Sequence, residues 1–456
     1  MSFIRLASKI PQRAPGLAKY SPTSFAAFNT VRMASATSRT PTVTPEQIAI
    51  VKSTAPVLKE HGVIITTLFY KNMLDAHPEL KNIFSMSSQA TGAQPRALAA
   101  SVLAYAMYID DLPKLQHAVE RIAHKHVSLS VKPEHYPIVG KHLMEAIGAV
   151  LGDAATPEIV DAWGSAYGVL ANVFIGLEAK MYKAHENWIG WRKFKIVNRV
   201  KEADAIESFY LAPVDGTPLP SFLPGQYISL QVHVPELGHF QSRQYSMSQA
   251  PRKEGDCYRI SVKREEGGVR SDIPGLISNI LHRNYNVGDE VELSHPQGEF
   301  FVDPYDKSKD DVPLVLISAG VGATPIMSIL DAVTKPDVTG RRPISWLHAS
   351  RSKLVQPFAE AVRKIRSDNT ERVSSHIFLN SVGRDDLIGT DYHFGGVRMD
   401  LSKLDKTKDL FAGDKRAEYY ICGPQNFMMD MRQALENMGV DRERTHLELF
   451  ATGDVA

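Results

Sequence analysis

The sequence predicts a multidomain chain with an all-α part, an antiparallel β-barrel and an α/β part, in that order. Three patterns along the 456 residues indicate this. Apolar residues recur at helical spacing from about residue 44 to residue 188. Short alternating strands with Pro and Gly turns follow as far as Pro304, and apolar strands alternate with helices from about Val312. A chain of this length corresponds to about three domains.

The first part opens with a helix start signal. Residues Thr44-Pro45-Glu46-Gln47 have the form of a capping box with proline at the first helical position. Gly and Pro are sparse in the periodic segments that follow, so we expect helices through residue 188.

The second part shows the two-residue period of strands. Segment Lys195–Val200 alternates apolar and polar residues, and so does Tyr227–Val234. In the latter, Ser229, Gln231 and His233 fall on the face opposite the aliphatic residues, which predicts a half-buried strand. Frequent Pro and Gly between such strands favour a small antiparallel barrel.

The third part contains short apolar strands separated in several places by helical segments. This alternation predicts an α/β layer with a mainly parallel sheet. The predicted strands are Leu314–Ser318, Ile344–Ala349, Ser375–Leu379 and Glu418–Cys422.

Composition narrows the class of protein. Two cysteines far apart form no disulfide framework and suit a reducing compartment. The sequence has no run of 18 consecutive apolar residues, so we expect no transmembrane segment. Residues 46–456 carry 46 basic and 51 acidic side chains, and this mildly acidic balance argues against nucleic acid as the main partner.

The first 45 residues have a different charge balance, with six basic side chains and no acid. Arg, Ser, Thr and Ala dominate, with apolar residues interspersed, which is typical of a mitochondrial presequence. We therefore predict a targeting segment at residues 1–41 and a mitochondrial location. The alternative is a tail without an address, and a start at Met33 would give a cytoplasmic form.

Histidine spacing singles out one candidate metal ligand among five in the region. Leu115, Val119, Ile122 and His126 advance by four, three and four residues, which places His126 on an apolar helical stripe. His124 lies about 200° around the helix from His126. A single histidine on an apolar face is more often a core residue than a ligand, so spacing alone leaves both interpretations open.

Two motifs in the later parts suit phosphate-bearing ligands. Arg243-Gln244-Tyr245-Ser246 offers a guanidinium for phosphate, an aromatic ring and a hydroxyl. Gly320-Val321-Gly322-Ala323-Thr324-Pro325 follows an apolar strand, as in strand–turn–helix units that bind phosphate at a helix N-terminus. Thr324 and Pro325 are predicted as N-cap and first helical residue.

The segments Phe69-Tyr70, Pro78–Phe84 and Asp161–Phe174, taken with these motifs, resemble the flavohaemoglobin family across nearly all of residues 42–456. The resemblance implies an all-α globin domain at 42–188, an FAD-binding barrel at 189–306 and an NAD(P)-binding domain at 307–456. It implies haem b with His126 as the proximal iron ligand. The other implied haem-site residues are Phe84 packing on haem, Tyr70 and Gln94 facing bound gas, Leu98 closing the pocket, and Tyr136, Glu178 and Lys125 on the proximal side.

The same resemblance extends to a ferredoxin–NADP reductase-like module. It implies contacts to FAD and the nicotinamide nucleotide from residues spread over both later domains. These are Tyr227, Arg243, Gln244, Tyr245, Ser246, Lys263, Glu266, Gly268, Ser278, Gly320, Val321, Gly322, Ala323, Thr324, Pro325, Arg351, Cys422, Gly423 and Phe450.

The resemblance implies nitric oxide dioxygenation, in which NAD(P)H electrons pass through FAD to haem and nitric oxide and dioxygen become nitrate. Expected partners are therefore small molecules, and we expect a monomer. Two alternatives remain at this point: a haem gas sensor or oxygen-binding protein with a residual reductase, and a general quinone or ferric reductase. Arg351 after strand Ile344–Ala349 favours NADPH over NADH, because a guanidinium fork suits a 2′-phosphate.

Overall fold

The computed structural model describes residues 42–252, 255–267, 274–338 and 340–450. The predicted targeting segment at residues 1–41 and the predicted cofactor residue Gly268 lie outside these ranges. Within them, the predicted succession of an all-α part, an antiparallel sheet and a parallel sheet is confirmed.

The described helices begin as predicted, at Thr44. Its side chain accepts from the backbone of Gln47, and the Gln47 side chain accepts from the backbone of Thr44. The helices are α1 (Pro45–Ser53), α2 (Ala55–Ala76), α3 (Met86–Ala90), α4 (Ala93–Tyr108), α5 (Gln116–Ser128), α6 (His135–Leu151), α7 (Pro157–Ala184), α8 (Leu276–Asn284), α9 (Ala323–Val333), α10 (Ala359–Asp368) and α11 (Gln425–Asn437).

Strands begin directly after α7 and the short segment that follows it. They are β1 (Arg192–Ala203), β2 (Ile206–Pro213), β3 (Tyr227–Val234), β4 (His239–Ser246), β5 (Tyr258–Lys263), β6 (Glu290–Leu293), β7 (Leu314–Ala319), β8 (Ile344–Ser350), β9 (Val373–Leu379), β10 (Phe394–Gly395), β11 (Glu418–Cys422) and β12 (Thr445–Glu448).

The described chain divides into two compact units. Unit 1 comprises the described residues up to Leu115, together with Pro133–Ile175 and Val234–His239. Unit 2 comprises Gln116–Lys132, Gly176–His233 and the described residues from Phe240 onward. Helix α5 and the end of α7 therefore belong to unit 2, whereas the other helices of residues 42–188 belong to unit 1.

Unit 1 is built around helix α2, which lies against α4 and α6. Apolar side chains at helical spacing on α2, among them Ile65, Phe69 and Met73, are fully buried in one cluster with Leu143 of α6. Burial of each such side chain contributes roughly 1.5–3 kcal/mol, so this face holds the helices together.

Helix α7 is the one described helix whose length and apolar composition would allow it to cross a membrane. Its N-terminal half instead carries Trp163, whose indole Nε1 donates to Thr54 in the unit 1 core. A core helix of a water-exposed domain passes the same test, so we interpret α7 as a core helix.

The antiparallel sheet of unit 2 has the strand order β4-β3-β6-β1-β2-β5. A further antiparallel bridge joins Met247, just after β4, to Ile260 of β5. Because β4 and β5 are the two edge strands, this bridge closes the sheet as the predicted barrel requires.

The predicted half-buried character of strand β3 is wrong. Ser229 and Gln231 are buried together with the aliphatic residues, and His233 alone of this strand is exposed. The polar side chains tolerate burial because each has a partner: Ser229 donates to Ser128 Oγ, and Gln231 donates to Glu292.

The parallel sheet of unit 2 has the order β10-β9-β8-β7-β11-β12. Strands β7, β8, β9 and β11 correspond to the four predicted strands, with differences of at most two residues at their ends. Because β7 and β11 are parallel neighbours, the segments that follow Ala319 and Cys422 leave the sheet at the same edge.

Candidate functional site

A tyrosine cluster in unit 1 brings together four predicted haem-site residues, Tyr70, Phe84, Gln94 and Leu98. Tyr70 is buried on α2, its ring 5.5 Å from that of Phe84 in an edge-on arrangement. Its hydroxyl bonds to the side chain of Gln94, and Leu98 packs against the same core. Burial raises the pKa of Tyr70 well above its ordinary value, so the hydroxyl keeps its proton and remains a donor.

The position of Gln94 is itself supported by a residue that the sequence did not indicate. Gln89 Nε2, at the end of α3, donates to Gln94 Oε1 over 3.0 Å. The Gln94 amide therefore belongs to a chain of side chains that leads from α3 to Tyr70.

Tyr136, predicted to act beside the iron ligand, is buried at the start of α6. Its ring is stacked on Phe174 with 6.5 Å between centroids, and its backbone carbonyl accepts from Tyr167. The stacking holds its ring and the Tyr167 bond holds its backbone, and its predicted role stays a prediction.

A histidine–glutamate pair in unit 2 joins helices α5 and α7. His126 Nδ1 donates to Glu178 Oε1 over 2.8 Å. Glu178 is 3% exposed, whereas the His126 side chain is 32% exposed. A carboxylate bound to one ring nitrogen fixes the tautomer and directs the other nitrogen, Nε2, to act as a metal ligand.

Helix α5 carries another histidine, His124, close to His126. The buried residues of α5 are Ala123, Val127 and Ser128, whereas His124 and His126 are both partly exposed. His124 Nδ1 donates to Gln297 Oε1 over 2.6 Å. The two-residue spacing sends the two rings to different partners, which the apolar stripe alone did not reveal.

The predicted flavin motif, residues 243–246, forms the end of strand β4. Ser246 Oγ is buried and has no hydrogen-bond partner among the described residues. Tyr245 is half-buried, and burial raises its pKa above the ordinary value. Arg243 donates to the Ser242 carbonyl, and its burial lowers its pKa. A buried hydroxyl without a partner, next in sequence to a shielded aromatic residue, fits a flavin site.

Gln244 occupies a different place from its neighbours in this motif. Alternation along a strand sends its side chain to the face opposite Arg243 and Tyr245. There it donates to Ser229 Oγ over 3.1 Å.

The segment after β5 meets the first turn of α8. Ser278 Oγ accepts from the backbone of Glu265, and Asn279 Nδ2 donates to the Glu265 carbonyl. Lys263 pairs with Glu265 and Glu266 pairs with Arg264, so both predicted contact residues already have charged partners.

The glycine turn, Gly320–Gly322, lies directly against the segment Cys422-Gly423, as the two predicted nucleotide motifs require. A Cβ on Gly322 would stand 2.3 Å from the Cys422 carbonyl oxygen, a distance no side chain can occupy. Gly320 has φ +56°, in the left-handed region that favours glycine. Val321 and Ala323 complete the turn into α9.

The predicted cap of α9 is wrong. The helix begins at Ala323 with Gly322 as N-cap, so Thr324 and Pro325 are its second and third residues. Thr324 Oγ1 donates back to the Val321 carbonyl. The tight turn continues directly into the helix, which shifts the start of the helix toward the glycines.

Two further predicted cofactor residues, Arg351 and Phe450, are exposed. Arg351 follows Ser350, the last residue of β8, and its carbonyl accepts from the backbone of Ser381. Phe450 is 45% exposed, which is high for a large aromatic ring and suits a side chain that covers a ligand.

Glu448 is a functional candidate that sequence reasoning did not select. It is buried at the end of β12, and burial together with Glu299 raises its pKa to about 8. Lys125 and Arg121 on α5 oppose this shift, and Arg121 forms a 2.7 Å ion pair with Glu299. A carboxyl group that titrates near neutral pH can hold or release a proton, and Lys125 acts on it directly.

Comparisons with known proteins agree with this arrangement. Residues 67–174 match the globin family, and residues 316–433 match the oxidoreductase NAD-binding domain family. A flavohaemoprotein of Bordetella pertussis is 47% identical over 418 residues, covering 91% of this chain and 100% of the relative. One of Bacillus subtilis is 42% identical over 407 residues, covering 88% and 96%.

A solved structure adds a match at the level of the fold. The flavohaemoglobin of Malassezia yamatoensis, with bound FAD and haem, has a TM-score of 0.77 and 30% identity, covering 90% of this chain and 100% of that one. A globin followed by a nucleotide-binding reductase defines a class of fused oxidoreductases. The chain belongs to the flavohaemoprotein family within that class.

Proposed function

We propose that this chain is a nitric oxide dioxygenase that uses NAD(P)H as electron donor, FAD as intermediate carrier and haem b as the oxygen-binding group. The overall reaction converts two nitric oxide and two dioxygen molecules, with one NAD(P)H, into two nitrate ions, NAD(P)⁺ and one proton. The observation that carries the proposal is the buried carboxylate of Glu178 on Nδ1 of His126.

The residues present fit these groups. His126 Nε2 would ligate the iron, since Glu178 occupies the other nitrogen. Ser246 and Tyr245 would hold the flavin ring, and the glycine turn with Cys422-Gly423 would hold the nicotinamide nucleotide. Haem and flavin supply the electron transfer and oxygen activation that side chains cannot perform.

The side chains of the tyrosine cluster supply electrostatic stabilisation. Tyr70 remains protonated at any physiological pH, so its hydroxyl would be available to donate to negative charge that develops in the pocket beside it. Gln94 orients that hydroxyl, and Glu178 makes the His126 imidazole more basic.

Each of the two alternative functions fails to explain one feature of this structure. A gas sensor or oxygen-binding protein has no need for the close fit of Gly322 against Cys422. A general quinone or ferric reductase has no need for the histidine–glutamate pair.

The test is aerobic nitric oxide consumption, measured with an electrode, in the presence and absence of NAD(P)H. We expect rapid consumption with nitrate as product when the nucleotide is present. A sensor would show no sustained turnover, and a general reductase would oxidise NAD(P)H without consuming nitric oxide.

We also propose that residues 1–41 direct the protein to mitochondria, that the domains meet near residues 188 and 306, and that the protein is monomeric. The charge pattern of residues 1–45 supports the address. A fluorescent reporter fused to the full chain should enter mitochondria, whereas a fusion starting at Met33 should stay in the cytoplasm. Cytoplasmic signal from the full-length fusion would exclude the address.

A further inference from the structure

A group of four side chains in unit 2, here called the histidine clamp, lies outside the residues to which the proposed function assigns a role. It consists of His124 on α5, His185 just after α7, and His295 and Gln297 in the segment that follows β6. None of these residues was singled out as a site by the sequence, since they are far apart along the chain.

The clamp is connected by directional bonds. His124 Nδ1 donates to Gln297 Oε1 over 2.6 Å, and Gln297 Nε2 donates to His295 Nδ1 over 2.9 Å. The His295 ring is stacked on that of His185, with 4.2 Å between centroids and 10° between planes. Burial lowers the pKa of His295 to about 4, so its ring is neutral and Nδ1 can accept.

The clamp is costly in stability. His295 Nε2 is buried and has no hydrogen-bond partner within the described part of the chain, and the same holds for Nε1 of the adjacent Trp188. A buried polar group without a partner destabilises the folded state compared with a satisfied one. Apolar side chains would fill this space at lower cost, but they would not fix the direction of the contacts.

Two residues of the clamp are close in sequence to the His126–Glu178 pair. His124 is two residues from His126 on α5, and His185 is seven residues, about two helical turns, beyond Glu178. The backbone of Gln297 forms both bridge hydrogen bonds with Tyr227 at the start of β3. A displacement of Gln297 would therefore move His126 and Glu178 relative to the strand that begins at Tyr227.

We propose that the histidine clamp is a positioning device: it fixes the His126–Glu178 pair relative to the flavin-binding barrel and thereby sets the rate of electron transfer from flavin to haem. The inference rests on the proposed function, because it concerns a step within that reaction. Gln297 is the central positioning residue, since it bonds to His124 and to His295 and pairs with Tyr227.

The test uses the full-length holoprotein with Gln297→Ala. After anaerobic mixing with NAD(P)H, flavin bleaching should proceed at the unmodified rate, whereas haem reduction should slow by about tenfold, the scale typical of groups that orient metal ligands. The iron–histidine stretching band in resonance Raman spectra should shift or broaden, which reports the geometry of His126 without turnover.

The matched control is His117→Ala, an exposed histidine on the same helix, which should change neither measurement. If Gln297→Ala does not fold, His124→Ala removes the same bond from a half-exposed position. Unchanged haem reduction together with an unchanged Raman band would overturn the proposal. If the unmodified protein shows no haem reduction by NAD(P)H, the proposed function fails, and the Raman band alone then decides the clamp.

Discussion

The tyrosine cluster of unit 1 and the glycine turn of unit 2 differ in whether side-chain or backbone atoms form the site. In the cluster, the side chains of Tyr70, Phe84 and Gln94 form the site within an apolar core. At the turn, the backbone forms the site, and Gly322 matters because it has no side chain. A side-chain site should lose function by degrees when altered, whereas a backbone site should fail when a single atom is added. The histidine–glutamate pair is the side-chain site at which we expect the largest loss.

His126→Ala should have the largest effect, because the buried carboxylate of Glu178 holds Nδ1 of His126 and leaves Nε2 as the nitrogen that would bind the iron. We expect loss of the haem Soret band and of nitric oxide consumption. Flavin content and NAD(P)H-dependent reduction of a diffusible dye should persist, since the barrel and parallel sheet contain their own cores. A retained Soret band in the variant would show that another residue ligates the iron.

Gly322→Ala should come next and should show the all-or-none character of a backbone site. The new methyl group meets the Cys422 carbonyl at 2.3 Å, so the turn or β11 must move. Flavin reduction by NAD(P)H should fall by more than tenfold in stopped-flow measurements. Gly148→Ala is the matched control: its Cβ meets no described atom within 4 Å in helix α6, so it should be neutral or slightly stabilising.

Glu448→Gln should alter the dependence of stability on pH. The folded-state pKa of Glu448, about 8, lies above the unfolded value near 4.5, so the folded state binds the proton more tightly. The contribution of Glu448 to the free energy of unfolding is therefore fully present below pH 4.5. It is lost as pH rises to about 8, by a few kcal/mol in order of magnitude. In urea unfolding measured from pH 5 to 9, the free energy of unfolding of the variant should not show this decrease. The exposed Glu443→Gln should keep it.

Tyr70→Phe should produce the graded loss expected of a side-chain site. Haem and flavin should bind normally, because the ring remains in place beside Phe84. The lost donor should weaken oxygen binding by about 1–3 kcal/mol, seen as faster dioxygen dissociation in flash photolysis. The same dissociation rate in both proteins would remove Tyr70 from the site and weaken the comparison with the glycine turn.

Arg351→Ala should have the smallest effect, and it concerns selectivity. An exposed guanidinium at the end of β8 suits the 2′-phosphate of NADPH, with a contribution of about 1 kcal/mol at an exposed site. We expect KM for NADPH to rise several-fold while KM for NADH stays constant. Parallel changes for both nucleotides would leave Arg351 without a role in discrimination.

Local patterns predicted the order of the fold and the ends of the main strands, because helix caps and apolar strands are encoded by neighbouring residues. The glycine turn was predicted for the same reason. Glu448 was not selected, because its high pKa depends on Glu299 and on the positions of Arg121 and Lys125. The burial of Ser229 likewise depends on Ser128, a residue about a hundred positions away. Contacts between distant segments have no signature in a single sequence.

The burial of Cys422 against Gly322 affects how its thiol reacts with the nitrogen and oxygen species among which this protein is proposed to work. Thiols combine with oxidised nitrogen species and with peroxides mainly as thiolates. Burial raises the pKa of Cys422 well above its ordinary value, and burial also raises the pKa of Cys257. Both thiols of the chain are therefore held in the protonated form near neutral pH, which disfavours the reactions that require a thiolate.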